Sequence, residues 1–99
     1  MTAYWVVHVT VKDPDAFQEY ARRSPAALKA FGGRHIVRGG ESTTFEGAPD
    51  SRRLVVAEFP DYAAALACYR SDTYQSIIKH REGAAEFHLV AIDGCPPQT

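Results

Sequence analysis

Six side chains in this sequence have the chemical types and positions to act on a small molecule. They are His8, Arg38, Glu58, Tyr69, Tyr74 and Arg81. A histidine titrates near neutral pH, and a partly buried carboxylate can serve as a general base. An arginine binds carboxylates and enolates through paired hydrogen bonds, and tyrosines offer hydroxyl groups. We therefore take His8 and Glu58 as candidate catalytic residues and the other four as candidate ligand-binding residues.

Each candidate also has a purely structural interpretation. Arg38 and Glu58 end neighbouring strand patterns, so an ion pair between the two would explain both residue types. His8 is a lone histidine in a strand, where such residues more often satisfy a core or an interface. The residues alone leave both interpretations open.

The same choice arises in the stretch 58–86, which carries the remaining candidates. Tyr69 and Tyr74 occur at helical spacing, where aromatic residues belong first of all to a core. Arg81 extends the apolar stripe of its helix, so it either reaches a ligand anion or covers apolar surface with its stem. Ser71 has the character of a helix cap, and His80 belongs to the solvated side.

Length and composition indicate one globular domain. The chain has 99 residues, of which 45% are hydrophobic, enough for a single core without disulfides or a structural metal. With a net charge of -1 the chain has no excess of positive charge to bind a polyanion, so we expect no nucleic-acid partner. Cys68 falls in a helical apolar pattern, which favours a buried free thiol. No signal sequence opens the chain and no apolar run approaches the roughly 20 residues of a membrane helix, so we expect a cytoplasmic protein without a membrane partner.

The sequence contains no motif for a metal site, a nucleotide site or a serine nucleophile. The four histidines form no metal-ligand spacing with each other or with the cysteines. No phosphate-binding glycine loop, dinucleotide fingerprint or nucleophile elbow occurs. We therefore predict neither a metal nor a cofactor.

The hydrophobic patterns predict a β-α-β-β-α-β order. The predicted elements are a strand over 4–11, a helix from Asp13 to Gly32-Gly33, strands over 34–38 and 53–59, a two-part helix that begins at Asp61 and restarts at Ser71, and a strand over 87–92. Pro25 predicts a kink or restart in the first helix. Gly39-Gly40 predicts a bulge or bend, after which the pattern allows the strand to continue over 43–46. The inward stripe of the later helices is predicted as Tyr62, Leu66, Tyr69, Tyr74, Ile77, Ile78 and Arg81.

This order is that of a ferredoxin-like α+β domain, with a four-stranded antiparallel sheet and both helices on one face. We place the domain at residues 1–94 and a frayed tail at 95–99. Both faces of the strands carry apolar residues, so a monomer would expose a large apolar patch. We therefore expect a homodimer in which two sheets face each other.

An ordered set of short motifs resembles one family across nearly the whole chain. The motifs are Asp13-Pro14, Tyr20, Gly32-Gly33, Arg38-Gly39-Gly40, Glu46-Gly47, Glu58-Phe59-Pro60, Tyr69-Arg70-Ser71, Tyr74-Gln75 and Arg81. They are similar to those of the domain-of-unknown-function family 1330 (DUF1330). The resemblance implies a dimeric α+β barrel, with a pocket between the sheet and the helices of each subunit. Relatives by fold include cofactor-free monooxygenases, muconolactone-isomerase-like enzymes and haem-binding proteins. Cys68 and Asp72 depart from the family pattern, which has a bulkier residue and a proline there, and either change could reshape the pocket.

Two functions are compatible with the sequence. The first is a small cofactor-independent enzyme that acts on an aromatic or enolisable substrate, surrounded by His8, Arg38, Glu58 and Tyr69. The second is a non-catalytic dimeric binding module whose polar pocket residues are structural. Loss of turnover in Glu58→Gln would support the first, whereas a change in stability alone would support the second.

Overall fold

The computed structural model describes residues 1–97 of the chain. Its elements are β1 (Ala3–Val11), α1 (Pro14–Lys29), β2 (Arg34–Arg38), β3 (Arg53–Phe59), α2 (Tyr62–Arg70), α3 (Asp72–Ile78), a 3₁₀ turn (Lys79–Arg81) and β4 (Ala85–Asp93). The four strands form one antiparallel sheet in the order β2-β3-β1-β4. The predicted ferredoxin-like α+β fold is confirmed.

The central strand β1 organises the core through its alternating side chains. Ala3, Trp5, Val7 and Val9 are buried on the face that the helices cover, whereas the even-numbered residues are partly buried or, at Thr10, exposed. Successive side chains of a strand point to opposite faces, so one register gives one fully buried face. The Trp5 indole Nε1 donates a hydrogen bond of 3.0 Å to the Ala65 carbonyl of α2, which ties that helix to the sheet.

Helix α1 begins and ends as its sequence predicts. Asp13 caps its first turn by accepting a hydrogen bond from the Ala16 amide, and Gly32 adopts a φ of 75° just beyond its end. Pro25 does not end the helix, which runs on through it to Lys29 as a single element. Because proline has no N–H, the Ala21 carbonyl four residues earlier loses its usual helical partner.

Strand β2 and its connection to β3 match the prediction at Gly39 and differ from it elsewhere. The predicted bend forms at Gly39, with a φ of 74°, and a bulge that the sequence did not predict lies between His35 and Val37. No strand forms over 43–46, and Phe45 is 92% exposed in a long loop. Residues 43–46 have no neighbouring strand with which to pair, and an unpaired strand gains no inter-strand hydrogen bonds.

The predicted inward stripe of α2 is wrong, while that of α3 is confirmed. Tyr62 and Tyr69 are 41% and 38% exposed, and Ala65 and Cys68 face the core instead. The large indole of Trp5 already fills the space under α2, which leaves room for small side chains at the contact. Ser71 caps α3 by accepting from the Tyr74 amide, and this second helix turns Tyr74 and Ile77 into the core. Cys68 is the buried free thiol that the pattern predicts.

The end of the chain was predicted to fray from residue 95. The Gly94 amide still donates to the Thr2 carbonyl, so backbone pairing reaches this residue. Cys95 is exposed. The predicted boundary at residue 94 stays a prediction, and Gln98 and Thr99 lie outside the described residues.

The close approach of Gly33 to the core gives a stability prediction. A Cβ at Gly33 would lie within 3.0 Å of the Phe59 ring, whereas a Cβ at Gly40 would meet nothing within 4 Å. We expect Gly33→Ala to lower the free energy of unfolding by about 1–3 kcal/mol, the usual cost of overpacking a core. The matched Gly40→Ala should cause no loss. Urea unfolding of both variants tests this, and equal stabilities would contradict the packing described for Phe59.

Candidate functional site

A cavity lies between the helix-covered face of the sheet and α1. Its volume is about 40 Å³, and its walls are apolar side chains of β1, β3 and β4 together with Phe17 of α1. Six polar side chains also line it, namely Tyr20, Ser24, His35, Arg38, Arg53 and Tyr74. An apolar cavity with a few convergent polar groups is the usual form of a small-molecule site.

One end of the cavity holds a pair of buried tyrosines. The hydroxyl groups of Tyr20 and Tyr74 form a hydrogen bond with each other, in which either can donate. Burial raises the pKa of both hydroxyls above its usual value, and the nearby Arg81 guanidinium partly offsets this shift. Both therefore stay protonated at neutral pH. In such a pair one proton is shared and the other O–H is free to donate to a further acceptor.

Arg81 lies beside this pair with a partly unused guanidinium group. Its Cζ is 3.8 Å from the centre of the Phe87 ring and 5.1 Å from the centre of the Tyr20 ring, a cation–π arrangement. Its Nε is buried and has no hydrogen-bond partner within residues 1–97. A buried donor without an acceptor costs about 1–3 kcal/mol, so an acceptor oxygen next to this guanidinium is favourable, although Arg81 does not itself line the cavity.

Arg38 crosses the other end of the cavity from β2 to α1. Its Nη2 donates a hydrogen bond of 2.5 Å to the Ala21 carbonyl, the group that Pro25 leaves without a helical partner. The Ser24 hydroxyl is a weaker second donor to the same oxygen, at 3.5 Å. Pro25 thus creates the acceptor that holds Arg38 across the cavity.

Two further basic side chains accompany Arg38 at this mouth. Arg53 Nη2 donates to the Arg38 carbonyl at 3.2 Å. Burial, and to a lesser extent the Arg38 charge, lowers the pKa of His35 to about 4, so His35 is neutral at physiological pH. The bulge between His35 and Val37 shifts the alternation of β2, which brings both His35 and Arg38 to the cavity.

The structure brings together only part of the predicted site. Arg38 and Tyr74 line the cavity and Arg81 lies against its tyrosine pair. Tyr69 lines a separate surface groove beside α2, although its ring lies 5.5 Å from that of Tyr74. His8 and Glu58 belong to the opposite face of the sheet, because the even-numbered residues of β1 pair with those of β3.

The ion pair considered between Arg38 and Glu58 does not form. Glu58 instead pairs with Arg34, whose Nε lies 2.6 Å from its Oε1. The physical reason is the antiparallel pairing of β2 and β3, which puts the C-terminal ends of the two strands at opposite ends of the hairpin. Arg38 is accordingly opposite Val55, near the start of β3, and Arg34 is opposite Glu58.

The neighbours of His8 lie outside the cavity. It lies directly across from His88 on β4, with 6.2 Å between the ring centres. Its Nε2 is 4.0 Å from an Asp50 carboxylate oxygen. The residues described contain no group of three or more histidine, cysteine, aspartate or glutamate side chains placed to hold a metal ion.

Sequence reasoning missed Tyr20, His35 and Arg53 as site residues. Tyr20 carried a usable signal, since it belongs to the inward face of the first helix and has a counterpart in the second half of the chain, where a tyrosine also precedes an Arg-Ser pair. His35 carried none, because strict alternation places it and Arg38 on opposite faces, and the bulge is a tertiary feature.

Comparison with known families identifies the class of protein that this fold and sequence define. The family model "Domain of unknown function (DUF1330)" matches residues 2–95, nearly the whole chain. The protein belongs to this family, as its motifs predicted. No curated protein matches the sequence.

Several solved structures share the fold at low sequence identity. A protein of unknown function from Rhodopseudomonas palustris, RPA0582, is 21% identical, with a TM-score of 0.74 over 97% of this chain and 84% of that one. SnoaB, a cofactor-independent oxygenase from Streptomyces nogalater, is 15% identical, with a TM-score of 0.65 over 97% of this chain and 95% of its own. A dimeric ferredoxin-like protein of unknown function from Jannaschia sp. CCS1 is 17% identical, with a TM-score of 0.61 over 95% of this chain and 100% of that one. These likenesses establish the fold.

The helices within residues 1–97 are all too short or too polar to cross a membrane. The cytoplasmic location expected from the sequence stays a prediction.

The contact between Arg38 and the Ala21 carbonyl gives a second prediction. Pro25→Ala restores an N–H that competes for this oxygen, so Arg38→Gln should destabilise the Pro25→Ala protein less than the wild type. We expect a coupling energy of about 0.5–3 kcal/mol, the range for residues that share a partner. A double-mutant cycle by urea unfolding measures it. Strict additivity would contradict the role assigned to Pro25.

Proposed function

We propose that this protein binds a small organic ligand in the cavity between its sheet and its helices. The ligand places an acceptor oxygen against the hydroxyls of Tyr20 and Tyr74 and the guanidinium of Arg81. The buried tyrosine pair that lines the cavity carries this proposal, because its free O–H favours an acceptor oxygen, and the Arg81 Nε beside the pair is buried without a hydrogen-bond partner in the described chain. The aromatic walls of the cavity favour the aromatic or enolisable ligand that the sequence suggested.

The size of the cavity sets a condition on binding. A volume of about 40 Å³ holds roughly three water molecules, which is too little for an aromatic ring. The mouth can widen most easily at Arg38, because a single hydrogen bond to the Ala21 carbonyl holds its side chain over the cavity. Binding of an aromatic ligand therefore involves movement of the Arg38 side chain.

The electrostatics of the cavity limit the chemistry that the protein can perform. The pKa of His35 is lowered to about 4 and those of Tyr20 and Tyr74 are raised, so none of the three is poised to take a proton near pH 7. The donors instead stabilise an enolate or phenolate formed by an already acidic substrate. SnoaB, described as a cofactor-independent oxygenase, supports this chemistry by likeness of fold alone.

The same absence of a neutral-pH base in the cavity favours a second candidate function. This is a binding module that performs no reaction, as the sequence also allowed. Oxygen consumption or isomerisation of a bound ligand would distinguish the enzyme from the binding module.

The ligand proposal predicts a specific effect of removing one hydroxyl. Tyr74→Phe should weaken binding of a phenolic ligand by about two- to tenfold, because one hydrogen bond to a buried partner contributes about 0.5–1.5 kcal/mol. The control is Tyr62→Phe, since Tyr62 is a largely exposed tyrosine of α2. Calorimetry with the best phenol from a thermal-shift panel provides the measurement. Equal affinities of the two variants would contradict the proposed site, as would a panel without any ligand.

We also propose that a second copy of this chain covers the face of the sheet opposite the helices. Val90 and Ile92 are 43% and 52% exposed there, and Val6 and Val56 lie between them and β2. Apolar patches of this kind are unusual on monomers and common at interfaces. The dimeric ferredoxin-like protein from Jannaschia supports a homodimer for this fold.

A charge on this face should separate the two copies. We expect the wild type to be a dimer and Val90→Glu to weaken dimerisation by at least tenfold, because the carboxylate would lose its hydration in the interface. Ala67→Glu, on the exposed side of α2, is the matched control and should remain dimeric. Sedimentation equilibrium measures both. A monomeric wild type would contradict the proposed interface.

A further inference from the structure

We infer that the ligand of this cavity carries a carboxylate, which Arg38 and Arg53 bind at the mouth while its other end contacts Tyr20 and Tyr74. This inference rests on the proposed function and specifies its ligand class. It describes a small aromatic acid with a polar oxygen at the end remote from the carboxylate, such as a hydroxylated benzoate.

The charges around the cavity support an anionic ligand. Arg38 and Arg53 line its mouth, and Arg81, which does not itself line the cavity, lies against the Tyr20 ring at the far end. Among the described residues, no aspartate or glutamate lines the cavity. An anion that enters meets positive charge at the mouth and no like charge in the cavity walls, and the apolar walls strengthen that attraction.

The two arginines at the mouth have no carboxylate partner among the described residues. Four other arginines pair with carboxylates at 2.5–2.8 Å, namely Arg22, Arg23, Arg34 and Arg52. Arg38 and Arg53 donate to neutral backbone carbonyls and have no carboxylate partner within residues 1–97. A hydrogen bond between a guanidinium and a carboxylate is roughly twice as strong as one to a neutral acceptor. A ligand carboxylate is therefore a better acceptor for both side chains than the carbonyls they now use.

The backbone around these side chains holds Arg53 in place. A Cβ at Gly39 would lie 2.6 Å from Arg53 Nε and 2.7 Å from its Cζ, so the guanidinium packs directly on the glycine backbone. Gly39 also has a φ of 74°, which L side chains rarely adopt. Arg53 is thus positioned at the mouth before any ligand arrives, which lowers the entropy lost on binding.

Exchange of acceptors by Arg38 links binding to opening of the mouth. The side chain can leave the Ala21 carbonyl when a carboxylate replaces it as acceptor, and the same movement widens the cavity. Ser24 remains as a donor to the Ala21 carbonyl, so this oxygen is not left without a partner.

The test compares 4-hydroxybenzoate with 4-hydroxybenzyl alcohol, which has the same ring and hydroxyl but no charge. We expect calorimetry on the full-length wild type to show at least tenfold tighter binding of 4-hydroxybenzoate, and a clearly smaller affinity ratio in Arg53→Gln, where Arg38 alone remains to bind the carboxylate. Arg53→Lys keeps the charge without the planar guanidinium and should retain part of the preference. Arg52→Gln removes the same charge from a neighbour that pairs with Asp50 and should retain the full ratio.

The outcomes separate the carboxylate inference from the proposed function. Equal binding of the alcohol and the acid by the wild type would overturn the inference and leave the proposed cavity site standing. An unchanged ratio in Arg53→Gln, with thermal unfolding showing a folded protein, would also overturn it. Failure of both compounds, together with failure of uncharged phenols, would overturn the proposed function as well.

Discussion

The buried side chain of Trp5 fixes how the helices lie on the sheet. Its indole bonds to the Ala65 carbonyl of α2, and its rings pack at 4.9–5.0 Å from those of Phe59 and Tyr74. It thereby joins β1, β3, α2 and α3 around one aromatic group. The cavity is the space that remains between this group and α1, so its walls and its tyrosine pair have positions set by the same packing.

A local defect in α1 connects this core to the charged mouth of the cavity. Pro25 costs the helix one hydrogen bond, and Arg38 from the neighbouring strand restores a partner to the freed carbonyl. The result is a charged side chain held across an apolar cavity by a single contact. The protein thus combines a rigid aromatic end, where a ligand oxygen would be oriented, with a mouth that one side chain can open.

The fold was predictable from the sequence because its signals are local. The strand alternation of β1 and the caps at Asp13, Asp61 and Ser71 each specify their element without help from the rest of the chain. The candidate site was only partly predictable, because it depends on the end of the strand at which a residue lies and on the face of the sheet to which its side chain points. Arg38 and Glu58 lie at opposite ends of an antiparallel hairpin, and a bulge in β2 brings His35 to the same face as Arg38, so neither relation follows from simple alternation. The exposed stripe of α2 shows the same limit, because Trp5 decides what fits beneath that helix.

The most direct test of the cavity site is the nuclear magnetic resonance signal of the Arg81 Nε–H, assigned by its loss in Arg81→Lys. This proton is buried without a hydrogen-bond partner within residues 1–97, so an acceptor oxygen bound beside Tyr20 and Tyr74 should shift it downfield. We expect a saturable shift on titration with 4-hydroxybenzoate or an uncharged phenol, and no such shift for the Nε–H of Arg23, which already donates to Glu19. A bound ligand that leaves the Arg81 signal unmoved would contradict the account, because the ligand would then occupy a different part of the protein.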